Sequence, residues 1–155
     1  VSTNLLELRD EMISEVALYK TPITYTNTLY NSIITKASKN FYIDTGRENS
    51  WATQYSVISS TPTLSIDLTL TEREYIVTLG QIVFIDQIKS DVAKLVSYST
   101  DSLSVTQGDK PYRNLSEDRK NLENRLLELF YKLPNVSTMT SVTSLTITEI
   151  DVTYK

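Results

Sequence analysis

Carboxylates and hydroxyls are the side chains of this sequence best equipped for chemistry. Asp86 and Asp91 could divide the acid and base roles of glycoside hydrolysis, and a Ser or Thr near a Lys could act as an activated nucleophile. Neither pattern singles out a site. Spacing along a chain cannot set two carboxylates across a cleft, and Asp86, Lys89, Asp91 and Lys94 read more simply as a solvated helix face. Ser and Thr make up about a quarter of the chain, so hydroxyl–lysine pairings arise by chance. Thr100, Asp101 and Ser102 offer oxygens to a hard cation, but too few converge to hold one. No Walker loop, dinucleotide fingerprint or EF-hand loop occurs.

The sequence has no His and no Cys. That removes the usual general base, the commonest zinc ligand, thiolate chemistry and disulfides. The chain is therefore expected not to be an enzyme, with no catalytic residues, no cofactor and no metal. A net charge of -4 and a pI near 4.9 disfavour phosphate-backbone binding, which needs clustered Lys and Arg. High Thr content, 10 Tyr and only 3 Gly suit short strands and interfaces better than ligand-cradling loops.

At 155 residues the chain suits one domain, which at this size buries about 70% of the surface exposed when unfolded. No apolar run approaches the roughly 18 residues of a spanning helix, and no basic-then-apolar leader opens the chain, so neither membrane insertion nor secretion is expected. The first residue is Val1, so an initiator Met is either removed or outside the numbering. Absence of Cys agrees with synthesis in a cytoplasm.

Hydrophobic periodicity predicts four helices. Asn4 and Glu7 have capping-box spacing, and Leu5, Leu8, Met12, Val16 and Tyr19 form the stripe of a first helix ending before Pro22. Its expected role is packing into a bundle rather than acting as a detachable arm. Thr26 or Asn27 caps a second helix with Leu29, Tyr30, Ile33, Ile34, Ala37 and Phe41 on one face, closed by the Asp44, Thr45, Gly46 turn. Thr71 to Glu74 reads as a capping box opening a third, with apolar residues on nearly every side from Tyr75 to Ile85. Such a helix is buried all round or sits at a subunit interface, and Gly80 marks a close crossing. Ser116 caps a fourth, where Leu122, Leu126, Leu129 and Leu133 recur, thickened by Leu127 and Phe130, until Pro134.

Between these helices the pattern changes. Trp51 is expected to plug the core. Leu64, Ile66, Leu68 and Leu70 alternate with polar residues, predicting a half-buried strand or extended segment. Residues 97–113 read as an arm with a small strand around Leu103 and Val105. Residues 135–155 turn to Ser, Thr and β-branched side chains, a strand-forming tail carrying Val142, Leu145, Ile147, Ile150, Val152 and Tyr154. Its backbone needs a partner, available at Leu64–Leu70, at Leu103–Thr106 or in another subunit. The expected fold is mainly α: a four-helix bundle-like domain over 1–134 with a small β arm, then an extended C-terminal β-strand tail.

The order NLLELRDEM, ASKNFYIDTG, TLTEREYIVTLGQIVFIDQI, SYSTDSLSVTQGDKPY and SEDRKNLENRLLELFYKLP, followed by a strand-forming tail, resembles the head–tail adaptor (connector, or head-completion) proteins of tailed bacteriophages. The resemblance covers most of the chain in pattern and element order. It implies a virion structural protein at the head–tail interface: a homo-oligomeric ring, twelve-fold, that binds beneath the portal, continues the DNA channel and docks a tail-completion or tail-terminator protein. DNA would pass without sequence-specific binding along an acidic wall, and no membrane is involved. Partner contacts are then expected at Leu103, Val105 and Tyr112 of the crossing and on the tail, which suits strand addition. The same composition allows another virion subunit, tail-completion or baseplate, and a carboxylate-dependent hydrolase would need a pocket holding carboxylates of raised pKa.

Overall fold

The computed structural model describes residues 2–19, 21–98 and 114–133. Among them five helices and a three-stranded sheet alternate as β1 (Thr3–Asn4), α1 (Leu5–Val16), α2 (Asn27–Asp44), α3 (Glu48–Gln54), β2 (Tyr55–Ile58), β3 (Thr61–Leu64), α4 (Leu70–Tyr98) and α5 (Leu115–Tyr131). The fold is mainly helical, with α4 packing against α1, α2 and α5 while α1 also meets α2.

Local chemistry sets the ends. The Asn4 side chain accepts from the Leu6 amide, and Thr26 accepts from the Leu29 amide, each satisfying a helix-start donor. The second helix closes as the sequence predicts: Gly46 takes φ +72°, and the amides of Thr45 and Gly46 return to Phe41 and Ile43. The first helix stops at Val16, well short of Pro22. The capping box of α4 lies two residues earlier than Thr71 to Glu74 suggested. The Thr69 hydroxyl accepts from the Glu72 amide at 3.2 Å while the Glu72 carboxylate accepts from the Thr69 amide at 2.9 Å. Both frames offer Thr followed three residues later by Glu, and burial decides between them, because the Thr69 frame brings Glu72 inward onto Arg47. Similarly α5 starts at Leu115, with Asn114 rather than Ser116 at the cap position and no side-chain capping bond.

The sheet has the order β1-β3-β2, antiparallel throughout. Ser59 and Ser60 join β2 to β3 with φ of 50° and 66°, the left-handed pair that a two-residue hairpin of right-handed twist requires. The alternation at Leu64, Ile66, Leu68 and Leu70 does not form a strand beyond Leu64. β3 ends there, Leu68 remains buried, and Leu70 is exposed at the start of α4. The Thr3 hydroxyl takes over from the ladder, donating to the Ile66 carbonyl at 2.8 Å and accepting from the Leu68 amide at 3.1 Å. Leu64 itself has a strand on each side, Thr3 of β1 on one and Tyr55 of β2 on the other.

One hydrophobic cluster joins all five helices and the sheet, with Leu5, Leu8, Met12, Ile34, Phe41, Tyr42, Leu64, Ile76, Phe84, Ile85 and Ile88 at its centre. The all-apolar stretch of α4 is enclosed within the single chain, so a subunit interface is not needed to cover it. A Cβ placed on Gly80 would lie 2.6 Å from the Met12 sulfur, which locates the expected close crossing between α4 and α1. Trp51, on α3, is half-buried, stacking on Tyr55 and meeting Tyr42 edge-on. Leu129 and Leu133 of the α5 stripe are buried, whereas Leu127 points outward.

Candidate partner-binding surfaces

Leu103, Val105 and Tyr112 of the crossing, and Val142, Leu145, Ile147, Ile150, Val152 and Tyr154 of the tail, lie outside the described residues. Their points of attachment are described. Arg119 of α5 pairs with Asp86 of α4 at 2.7 Å and with Glu123 of its own helix, and Ser116 receives the Lys89 ammonium. Further along, Arg125 reaches Glu74 at 3.2 Å and the Phe130 ring lies 6.4 Å from that of Tyr75. Rising numbers on α5 therefore meet falling numbers on α4, so the two helices run antiparallel. The crossing is rooted at one end of the bundle and the tail at the other, separated by the 17 residues of α5, about 25 Å at the rise of an α-helix.

The tail's root lies at the sheet end of the bundle. From Phe130 an unbroken series of ring contacts passes through Tyr75, Phe41, Tyr42 and Trp51 to Tyr55 at the start of β2, each ring within 6.4 Å of the next. Beneath it a polar joint holds α2, α3 and α4 together. Arg47 spreads over the rings of Phe41 and Tyr42 and donates to the buried Glu72 at 3.0 Å, so removal of the Arg47 charge would strand that of Glu72 in the interior.

Two surface grooves flank this end. One, of about 340 Å³, lies between α2 and α5 and is lined by Asp44, Tyr75, Leu126, Leu127 and Phe130. The Tyr75 hydroxyl donates to Asp44 there at 2.9 Å. Burial pushes its pKa far up, and the Asp44 charge and hydrogen bond push it further. Burial likewise raises Tyr42, where Arg47 opposes and Glu72 reinforces the shift, and its hydroxyl donates to Gln54. These phenols stay protonated and serve as hydrogen-bond donors, not as bases or nucleophiles.

The second groove, about 500 Å³, runs between α2 and the hairpin, with Asn31, Thr35, Lys36 and Lys39 on one wall and Tyr55 and Val57 on the other. Its charged lining residues are both lysines. Beside it lies the outer edge of β2. Val57 stands opposite Pro62, which has no N–H to give, so the bonded pairs of the ladder fall at Ile58–Thr61 and Ser56–Thr63. The Val57 N–H and C=O consequently point away from β3. Among the described residues no strand pairs with that edge, and Val57 and Ile58 are 57% and 62% exposed.

The carboxylates weighed above as a catalytic pair have structural roles. Asp86 holds Arg119, whose pKa is raised mainly by that hydrogen bond, and Asp91 accepts from the Tyr25 hydroxyl at 2.8 Å and from Gln87. Among the described residues no three carboxylates converge as a metal site, and no helix is long and apolar enough to cross a membrane. Sequence reasoning missed the β2 edge because its turn is Ser59–Ser60, without the Gly or Asn that usually signals a two-residue hairpin. Two short strand-like runs around a dipeptide, YSVI and TPTL, were the available signal. Compared with known proteins, the chain matches no family model, no curated protein and no solved structure.

Proposed function

We propose that the chain is a structural, partner-binding subunit that joins two neighbours, in the manner of a head–tail adaptor of a tailed phage. The observation that carries this reading is the placement of the two segments with interface-like sequences. They are rooted at opposite ends of one rigid helix pair, so a single subunit can meet one partner through the crossing and another through the tail. The bundle between them is self-sufficient: among the described residues every buried side-chain polar atom has a hydrogen-bond partner. Large apolar side chains nevertheless stay exposed near the tail's root, including Leu70 and Tyr131, which suits a surface that is covered on assembly.

In this reading copies associate as a ring, twelve-fold by the family resemblance, between portal and tail within the virion. The acidic chain lines a channel through which DNA slides without being held. Portal protein and a tail-completion or tail-terminator protein are its two partners.

Native mass measurement of the purified protein, alone and mixed with the portal protein of the same phage, tests this. A ring or a portal complex is the expected result, lost when residues after Pro134 are deleted while the crossing is kept. A complex that survives the deletion would remove the tail from the portal contact. Binding to tail or baseplate proteins with none to portal would move the subunit elsewhere in the virion, and a monomer under all these conditions would overturn the adaptor reading.

A further inference from the structure

The β2 edge and the tail have complementary needs. One is a strand with an outward N–H and C=O at Val57 and two exposed apolar side chains; the other is an alternating segment without a partner beside it in sequence. We infer that residues 142–154 add as a fourth strand to the outer edge of β2 of their own chain, with their odd-numbered side chains laid into the groove beside α2. This goes beyond the adaptor reading and does not rest on it.

Reach and position favour the same chain. The tail leaves α5 at Leu133, at the end of the bundle where β3 hands over to α4 and where the ring contacts lead from Phe130 to Tyr55. The segment from Pro134 to Leu145 spans up to about 40 Å when extended, at roughly 3.3 Å per residue, longer than the series of ring contacts that leads from Phe130 to Tyr55. Tethering also raises the local concentration of the segment at its own edge to the order of millimolar, so a neighbour's edge competes poorly. The opposite edge of the sheet is less suitable, because β1 is only two residues long and runs straight into α1.

Side-chain chemistry sets the face. Leu145, Ile147, Glu149 and Asp151 share one face of an extended strand, and Thr146, Thr148, Ile150 and Val152 the other. With the first set in the groove, Leu145 and Ile147 meet Tyr55 and Val57, while Glu149 and Asp151 meet Lys36 and Lys39. With Leu145 opposite Tyr55 and Ile147 opposite Val57, the second set puts Thr148 beside the exposed Ile58, on the opposite face of β2 from Val57, with Ile150 diagonal to it. Backbone bonds supply the affinity and the alternating side chains the register. Where the chain acts as an adaptor, a partner's sheet edge would have to displace this strand to capture it.

Because the chain has no cysteine, engineered pairs report without background. In the full-length protein, Val57→Cys is combined with single cysteines at 145 through 152, oxidised, and read by intact mass and peptide mapping. Disulfides form only where the Cα atoms come within about 4.4–6.8 Å. The expected result is an intramolecular disulfide at an odd-numbered tail position, with yields at the flanking even positions several-fold lower. Ile58→Cys should show the opposite parity, which guards against a defect peculiar to position 57. Lys36→Glu with Lys39→Glu should cut the yield several-fold, and adding Glu149→Lys with Asp151→Lys should restore it. Equal yields at odd and even positions, indifference to the charge exchange, or disulfides found only between two chains would overturn the proposal.

Discussion

Tyr75 to Ile85 of α4 and Tyr55 to Ile58 of β2 both carry large apolar side chains, and the fold treats them oppositely. In α4 nearly every side chain of the run is enclosed by α1, α2 and α5, including the polar Thr78 and Gln81. In β2, Ser56, Val57 and Ile58 remain open to solvent although they belong to a hydrogen-bonded sheet. Apolar content therefore does not decide burial here; the number of elements that surround a segment does. α4 has three helices around it, whereas β2 has one strand and one groove wall. The first region makes the bundle stable, and the second leaves backbone and apolar surface available to another strand.

Substitutions graded from the first region to the second test that division. Phe84 is enclosed and meets Tyr25 and Tyr30 ring to ring, so Phe84→Ala should cost about 3–5 kcal/mol in denaturant unfolding, as large-to-small changes in cores do. A loss below about 1 kcal/mol would show α4 to be less enclosed than described. Gly80→Leu should cost about 1–3 kcal/mol by overpacking against Met12, read as a lowered unfolding midpoint; an unchanged midpoint would mean that the Met12 side chain swings clear. With the tail removed after Pro134, Val57→Ser should shift bundle unfolding by no more than about 0.5 kcal/mol, the usual range for exposed positions. A larger loss would make β2 part of the stabilising core and erase the contrast.

The same contrast explains what could be read from the sequence. Helical stripes with several enclosed positions, such as Leu5, Leu8, Met12 and Val16 or Ile33, Ile34, Ala37 and Phe41, were readable because each turn of helix repeats the signal. The α4 cap was readable in kind and misplaced by two residues, since Thr69–Glu72 and Thr71–Glu74 differ only in what surrounds the glutamate. The hairpin and α3 were not readable: each is a few residues long, and their positions depend on Thr3, Arg47 and Glu72, far apart in the chain. The alternation from Leu64 to Leu70 misled because Leu64, Leu68 and Leu70 meet three different surroundings, a sheet, the core and solvent. The candidate contacts on the crossing and the tail lie outside the described residues, and what the fold adds is where each is rooted.

The bonds from the Thr3 hydroxyl to Ile66 and Leu68 also bear on how the molecule forms. They join residues 63 and 65 positions apart, so the first strand has no mate until β3 and the start of α4 exist. During synthesis, at roughly 5–20 residues per second, α1 leaves the ribosome several seconds before the segment that secures it. α1 is thus secured only once β3 and the start of α4 have been made, and until then α2 is the described helix already available to cover its apolar stripe.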